Sequence, residues 1–292
     1  MSTAAAFGPT MSAGGGARVT VVIPVWDAYA GDGLLEALAS VRRQGVPAEL
    51  IVVENASEVA LPPLGDVELV HLGARCSTGA ARNAALERLR TPYVVFLDAD
   101  DLLLDGALAE LTRGLDAAER SSAYVLSIID GVTGKRHRTP RRFASALCRL
   151  PRLFALANTV WSLLPTQGAA IMRVRDVRAC GGYGDSDHGE DWVLGTSLAF
   201  RGNVSFDRRP GLLYRRREDS PGVGALSGRV LLDNARAVRA RVREDQAIPR
   251  WARSALPLIA LAQWCAARIA HPLWRLVRGW GVGGAAGPPL TR

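Results

Sequence analysis

A buried strand that ends in carboxylates is the feature that most constrains this 292-residue sequence. Val94 to Leu97 are large apolar residues in succession, and Asp98, Asp100 and Asp101 follow directly. The run predicts a strand whose carboxyl end lies where α/β sheets bind ligands. A turn there can direct Asp98 and Asp100 to one point, where a divalent cation would offset their repulsion. The alternative is an Asp-rich turn that caps a helix at about 105–119.

The segments around this strand predict an α/β sheet. Continuous apolar runs predict strands, and apolar residues at helical spacing predict helices between them. Ser77 or Thr78 is the expected N-cap of the second helix. In chain order the predicted elements are a strand at 19–25, a helix from 34, strands at 50–53 and 67–72, a helix from 78, a strand at 93–97 and the helix at 105–119. Such alternation is typical of a nucleotide-binding sheet flanked by helices.

Beyond residue 120 the pattern becomes α+β. An acidic loop at 185–191 is expected to open a helix that runs to about residue 200. The other predicted elements are a strand at 124–129, a turn at 131–134, short helices within 141–164 and strands at 169–174, 204–206 and 212–214.

The composition restricts the partners and the compartment. The net charge is +8 and the pI is near 10, which favours an anionic partner such as nucleotide phosphates or an anionic membrane surface. No dense basic stripe interleaved with aromatic residues occurs, so nucleic-acid binding is not expected. The four cysteines are isolated in the sequence, which favours a reducing cytoplasm and argues against structural zinc. Residues 1–17 lack the features of a signal peptide and are expected to form a disordered leader.

Two nucleotide-binding classes do not fit the sequence. The first strand ends in Pro24-Val25 and continues into Trp26-Asp27, without the glycine fingerprint of dinucleotide-binding folds. The chain has a single lysine, Lys135, which lies far from any glycine loop between a strand and a helix. A dehydrogenase and a P-loop nucleotide-binding protein are therefore not expected.

Taken together, seven segments resemble the GT-A fold family 2 glycosyltransferases over about residues 18–220. They are Val21-Val-Ile-Pro-Val25, Glu54-Asn-Ala-Ser57, Gly79-Ala-Ala-Arg-Asn83, Phe96-Leu-Asp-Ala-Asp-Asp101, Gly181-Gly-Tyr183, Glu190-Asp-Trp192 and Tyr214-Arg215. The resemblance implies inverting transfer of a sugar, expected to be UDP-linked, from a nucleoside diphosphate sugar to an acceptor hydroxyl.

The resemblance also implies a donor site. The residues expected to contact the nucleotide sugar are Pro24, Val25, Glu54, Asn55, Arg82, Asp98 and Asp100. Glu54 occupies a position where the family more often has Asp, and it is expected to contact the base.

The resemblance assigns the metal and the catalytic base as well. Asp98 and Asp100 match the family's Asp-x-Asp signature and are expected to bind Mg²⁺ or Mn²⁺, which stabilises the charge on the leaving diphosphate. Asp191 matches the general base, and its place near a helix start is expected to favour the ionised form. Family members often have a late histidine ligand where this chain has Arg217. Glu218, Asp219 or water would substitute, or Arg215 to Arg217 would contact the diphosphate directly.

A helical region is predicted at 226–280, after a glycosyltransferase domain at 18–225 and before a disordered tail at 281–292. Residues 254–267 form an uncharged run of fourteen residues, shorter than the roughly 20 that span a membrane. The run either packs on the core of the enzyme or lies at a membrane interface, with Trp251, Trp264 and Trp274 at the headgroups. In the second case residues 250–278 would make a peripheral contact with the inner face of the membrane.

Two other functions remain open. A phosphatase of the haloacid-dehalogenase type also places Asp-x-Asp after an apolar strand, but there the motif usually opens the domain. A non-catalytic scaffold could keep the fold and bind a partner. The acceptor of a transferase would be a glycan, a lipid-linked glycan or a small molecule, and bacterial cell-surface polysaccharide synthesis is the expected setting.

Overall fold

A nine-stranded mixed sheet forms the centre of the computed structural model, which describes residues 16–134, 136–137, 146–215 and 228–270. The strand order is β3-β2-β1-β4-β8-β6-β9-β5, and β7 pairs with β6. The strands are β1 Val19–Val25, β2 Ala48–Asn55, β3 Glu68–Leu72, β4 Tyr93–Phe96, β5 Leu102–Leu103, β6 Ser121–Asp130, β7 Arg136–His137, β8 Ala170–Arg173 and β9 Asn203–Tyr214. The first four are parallel, whereas β8 is antiparallel to both β4 and β6.

Helices cover both faces of the sheet. They are α1 Asp32–Arg42, α2 Thr78–Asn83, α3 Ala107–Ala117, α4 Pro151–Val160, α5 Val174–Ala179, α6 Glu190–Arg201, α7 Gly228–Glu244, α8 Arg250–Ser254 and α9 Leu256–Cys265, and a π-helical turn follows at Ala266–Ala270. One core cluster packs α1 and α3 against the sheet, and the other packs α2, α4, α5 and α6 against the opposite face. Alternate residues of β4 enter the two clusters, as the period of two in a strand requires: Val94 and Phe96 enter one, Tyr93 and Val95 the other.

Most predicted elements are present, and the differences have local reasons. Residues 204–206 and 212–214 belong to one strand, β9, because β6 supplies pairing partners along its length and the register shifts near Ser127 accommodate Pro210. The two-residue strand β5 was too short to leave a periodic signal. Ser77, one of the two predicted N-caps, accepts a hydrogen bond from the amide of Ala80 at 3.1 Å. The predicted leader at 1–17, apart from residues 16 and 17, and the predicted tail at 281–292 lie outside the described residues.

The C-terminal helices pack on the sheet domain. Val242, Ile248, Ala252, Leu256 and Ile259 form a cluster that contacts Leu156, Val160 and Phe200 of α4 and α6. A second cluster joins Ala235 and Val238 of α7 to the start of α6. Of the two sequence interpretations, packing on the core therefore holds for one face of α9. Among the described helices, none is long and apolar enough to cross a membrane.

Candidate active site

The turn after β4 presents two carboxylates at the edge of the sheet. The amide of Asp101 donates to the carbonyl of Asp98 at 3.0 Å and closes the turn. Asp98 and Asp100 are half-buried, whereas Asp101 is buried and accepts a hydrogen bond from the amide of Arg215 at 2.9 Å. Gly106, with a φ of +74°, precedes α3, so the interpretation of this turn as a helix cap is wrong.

Asp101 has a structural role in this turn. Burial raises the pKa of Asp101 to about 9, and the neighbouring charges of Asp98 and Asp100 act in the same direction. The amide hydrogen bond and the charge of Arg215 oppose this shift, and the hydrogen bond joins the turn to the end of β9. The exposed face of the turn carries the charges of Asp98 and Asp100.

Arg82 connects this turn to the start of α6. Its guanidinium is buried, contacts Asp98 at 2.6 Å and Glu190 at 2.6 Å, and lies 5.1 Å from the centre of the Tyr183 ring. Burial lowers the pKa of Arg82, but Asp98, Tyr183 and Glu190 together raise it above its ordinary value, so the group is always charged. A permanent cation thus sits between the predicted metal carboxylate and the residue that precedes the predicted base.

Two of the sequence motifs, at 79–83 and 181–183, contact each other next to Arg82. Asn83 accepts a hydrogen bond from the amide of Tyr183 at 2.8 Å and donates to its carbonyl at 3.0 Å. A Cβ atom at Gly79 would lie 1.8 Å from the carbonyl oxygen of Gly184, so only glycine allows this approach of α2. Gly182, with a φ of +73°, permits the backbone turn that presents the amide and carbonyl of Tyr183 to Asn83. These contacts explain the spacing of Gly79-Ala-Ala-Arg-Asn83 and Gly181-Gly-Tyr183.

Asp191 lies in the first turn of α6 and accepts a hydrogen bond from the amide of Trp192 at 2.8 Å. Desolvation and the neighbouring charge of Glu190 raise the pKa of Asp191 to about 7, against the opposing effect of Arg82. The sequence expectation that the helix start favours ionisation is thus outweighed by desolvation. A carboxyl group with a pKa near 7 is well matched to proton transfer near neutral pH.

The predicted nucleotide residues lie at the ends of β1 and β2, on the same edge of the sheet as Asp98. Pro24 and Val25 are buried and pair with Val53 and Glu54 of the neighbouring strand. Val25 is fully buried in the core, so it offers a ligand its backbone and not its side chain.

Glu54 and Asn55 hold loops beside the site. The Glu54 carboxylate accepts a hydrogen bond from the amide of Ser57 and pairs with Nδ1 of His71 at 3.0 Å. Asn55 accepts from the amide of Cys76 at 3.0 Å and donates to its carbonyl at 2.9 Å. Both side chains shape the rim of the site, and Asn55 uses its amide within the protein.

Asp98 and Asp100 fit a hard divalent cation. Among the described residues no group of three His, Cys, Asp or Glu side chains can hold a metal ion, so an ion at this turn would need further ligands from outside that part of the chain. Oxygen ligands suit Mg²⁺ and Mn²⁺, which commonly complete their shells with substrate phosphates and water. The side chain of Arg215 donates to the carbonyl of Asp100 and to Glu36, which holds it against the turn. Residues 216–219, suggested from the sequence as further ligands or phosphate contacts, lie outside the described residues.

Sequence reasoning missed a cleft next to Asp191. The cleft has a volume of about 230 Å³ and lies between α4, α6, α7 and the end of α9. We call it the Asp191 cleft; it is lined by Val160, Trp161, Ser162, Gly189, Asp191, Trp192, Leu231, Asn234, Ala235, Gln263, Ala266 and Ala267. No local sequence pattern could indicate it, because its walls come from segments up to about 100 residues apart.

The fold is the GT-A fold of glycosyltransferases. The structure superimposes on Staphylococcus aureus TarS 1-349, solved in complex with UDP-GlcNAc, with a TM-score of 0.65, at 14% identity, over 92% of this chain and 76% of that chain. It also superimposes on the mannosyltransferase PcManGT from Pyrobaculum calidifontis, solved with GDP-Man and Mn²⁺, with a TM-score of 0.59, at 21% identity, over 92% of this chain and 77% of that chain.

The sequence identifies the family. Residues 20–178, just over half of the chain, match the family described as Glycosyl transferase family 2, so the chain belongs to this family and is a glycosyltransferase. The chain is also 26% identical over 253 residues to the succinoglycan biosynthesis protein ExoO of Rhizobium meliloti. This aligned region covers 80% of this chain and 68% of ExoO.

Proposed function

We propose that this glycosyltransferase inverts the anomeric centre as it transfers a sugar from a UDP-linked donor to an acceptor hydroxyl, with Asp191 as the general base. The observation that carries the proposal is the double contact of Arg82 with Asp98 and Glu190, because it links the donor edge of the sheet to the start of α6. A base beside the donor site is what a single displacement at the anomeric carbon requires.

The protein's own groups then have separate roles. Asp98 and Asp100 hold Mg²⁺ or Mn²⁺, which when bound stabilises the negative charge of the leaving diphosphate. Asp191 accepts the proton of the acceptor hydroxyl as that oxygen attacks the anomeric carbon and the bond to the diphosphate breaks. Arg82 keeps the carboxylates of Asp98 and Glu190 in place, since its guanidinium is buried and cannot lose its proton.

The similar structures support a nucleotide-sugar donor and a divalent metal, and TarS in particular supports a UDP sugar. TarS was solved with UDP-GlcNAc, and the mannosyltransferase PcManGT was solved with GDP-Man and Mn²⁺. For this chain we propose a UDP sugar, with Pro24 and Val25 lining the nucleotide pocket through the backbone, Glu54 at the base and Asn55 holding the adjacent loop. Arg82 completes the site from α2.

The donor site is tested by calorimetric titration of UDP, GDP and dTDP, each with and without Mn²⁺. We expect UDP to bind with Mn²⁺, and Asp100→Ala to weaken this binding at least about tenfold, because a metal ligand is lost. Asp105→Ala is the matched control, since Asp105 is an exposed carboxylate shortly after the turn and should leave the affinity unchanged. If no nucleotide binds under either condition, the donor-site assignment fails and a non-catalytic scaffold becomes the better explanation.

For the pathway, we propose the synthesis of a bacterial cell-surface polysaccharide. The supporting relative, ExoO, is named for succinoglycan biosynthesis. The acceptor would then be a hydroxyl of a growing glycan, free or lipid-linked, and a small-molecule acceptor remains the alternative. We further propose a cytoplasmic enzyme at the inner face of the membrane. Its four cysteines are unpaired, which agrees with a reducing compartment.

The outer face of α9 supports peripheral contact with an anionic membrane. Leu258 and Leu261 are 72% and 59% exposed, and Trp264 is also exposed, while Leu256 and Ile259 on the opposite face are buried. Exposed arginines, Arg250 and Arg268, stand at either end of this apolar stretch. Apolar residues between cations match a bilayer surface with acidic headgroups better than a neutral protein partner.

Flotation with phosphatidylglycerol-containing liposomes tests this contact. We expect the full chain to bind these vesicles and to bind neutral phosphatidylcholine vesicles much less. Leu258→Glu should lower the binding about tenfold, because it removes an inserted leucine and adds a negative charge. Val132→Glu is the matched control, since Val132 is 71% exposed and lies far from α9 in sequence. Equal binding of both variants, or no binding of the wild type, would exclude α9 as the membrane contact.

A further inference from the structure

The Asp191 cleft combines one ionisable group with an apolar wall. Of the described residues that line it, only Asp191 can carry a charge. The wall opposite the start of α6 comes from the C-terminal helices, with Leu231 and Ala235 on α7 and Ala266 and Ala267 after α9. The helices that follow the sheet domain therefore build part of the site.

The polar atoms of two lining residues are already used elsewhere. The indole nitrogen of Trp192 donates to the carbonyl of Asn158. The amide nitrogen of Gln263 donates to the carbonyl of Thr159 at 2.7 Å, and its oxygen accepts from Arg239. These side chains thus offer mainly hydrocarbon and ring surface to a ligand. A sugar would find hydrogen-bond partners only at Asp191, Trp161, Ser162 and Asn234, and its other hydroxyl groups would face the apolar wall unsatisfied.

The volume of the cleft limits what enters it. Sites that enclose a whole drug-sized ligand occupy about 300–1,000 Å³, whereas this cleft measures about 230 Å³. It can enclose one substituent but not an oligosaccharide. Trp161, 38% exposed, supplies an indole ring in the wall of the cleft.

We infer that the Asp191 cleft binds an apolar substituent of the acceptor, an alkyl or an aryl group, next to the hydroxyl that receives the sugar. This inference rests on the proposed function, because it assumes that Asp191 deprotonates the acceptor. It adds that α7 and α9 select the acceptor by its apolar group. The donor site, at the edge of the sheet that carries Asp98, takes no part in this selection.

Titration of the full chain with methyl, octyl and phenyl β-D-glucosides, all below micellar concentrations, tests the inference by calorimetry. The three probes share one sugar, so differences in affinity report the apolar group alone. We expect the octyl or the phenyl glucoside to bind at least about tenfold more tightly than the methyl glucoside, since burial of apolar surface drives the difference. Tighter binding of the octyl probe would indicate an alkyl substituent, and tighter binding of the phenyl probe an aryl substituent.

Variants assign this binding to the cleft. Leu231→Asp should abolish the preference over the methyl glucoside, whereas Leu232→Asp, a neighbour of similar partial burial outside the cleft lining, should retain it. Trp161→Ala should weaken binding of the preferred glucoside about fivefold or more. Trp251→Ala should leave this binding unchanged, because Trp251 is similarly exposed (40%) but does not line the cleft. Leu258→Glu should also retain binding, which separates the cleft from the exposed face of α9.

The outcomes separate failure of this inference from failure of the proposed function. UDP binding with Mn²⁺ should be unchanged in Leu231→Asp and Trp161→Ala, because neither residue belongs to the donor edge. Equal affinities for the three glucosides in a protein that binds UDP would overturn the cleft assignment alone. Loss of the preference in the Leu232→Asp or Leu258→Glu controls would also overturn it.

Discussion

Asp191→Asn is expected to slow sugar transfer about 10²- to 10⁴-fold, while UDP binding and folding are retained. Asparagine keeps the shape of the side chain and can still accept the hydrogen bond from the Trp192 amide, but it cannot take a proton from the acceptor. The measurement is initial-rate transfer from the UDP sugar selected by the binding experiment, with calorimetry of UDP on the same preparation. Asp105→Asn, at an exposed carboxylate just before α3, is the control and should transfer at nearly the wild-type rate.

The pH dependence provides a second readout of Asp191. Because its pKa is raised to about 7 and only the ionised form acts as a base, kcat/KM of the wild type should fall about tenfold per pH unit below pH 7. The raised pKa of Asp191 also means that wild-type stability, relative to Asp191→Asn, declines as the pH rises from about 4 to 7. Normal transfer by Asp191→Asn, or a flat profile across pH 5 to about 8, would exclude Asp191 as the base.

Arg82→Met is expected to lower the free energy of unfolding by about 3–5 kcal/mol. Methionine fills much of the same space but leaves Glu190, whose side chain is 8% exposed, without its partner at 2.6 Å. The contact with Asp98 is lost at the same time, so metal-dependent UDP binding should also weaken. Urea denaturation measures the stability, and calorimetry of UDP with Mn²⁺ measures the site.

Arg88→Met is the matched control for the Arg82 variant. Arg88 pairs with Glu68 at 3.4 Å with most of its side chain exposed, so its loss should cost no more than about 1 kcal/mol. Adding Glu190→Gln to Arg82→Met should recover part of the lost stability, because the buried charge is then removed. Equal stabilities of the Arg82 and Arg88 variants would show that the buried pairs do not hold α2 to α6.

The alternation of strands and helices was predictable because its signals are local. Val94 to Phe96 and Val19 to Val25 are buried on both faces, so their runs of large apolar residues already indicate central parallel strands. In a parallel sheet the carboxyl ends of the strands lie at one edge, so the sequence also predicted that Asp98 and Asp100 lie at that edge. The continuity of β9 through Pro210 was not predictable, since it depends on the pairing offered by β6, about 80 residues earlier.

The site shows the same division. Arg82 was assigned to the nucleotide from its motif, yet its observed contacts are with Asp98 and Glu190, and the second of these is separated from it by 108 residues. Leu231 of the Asp191 cleft carried only an apolar helical pattern, which any packed helix would show. Sequence spacing cannot reveal such contacts because they form only when separate elements pack together.

The sequence by itself determined the α/β sheet, the carboxylates at its edge and the membership of glycosyl transferase family 2. These depend on apolar periodicity and on motifs within a few residues of each other. The tertiary structure alone decided that the pKa of Asp191 is raised and that residues of α7 and the segment after α9 line an apolar cleft beside it. The physical reason is desolvation: the energy of a carboxyl group depends on which distant side chains exclude water from it, and only the packed chain defines those neighbours.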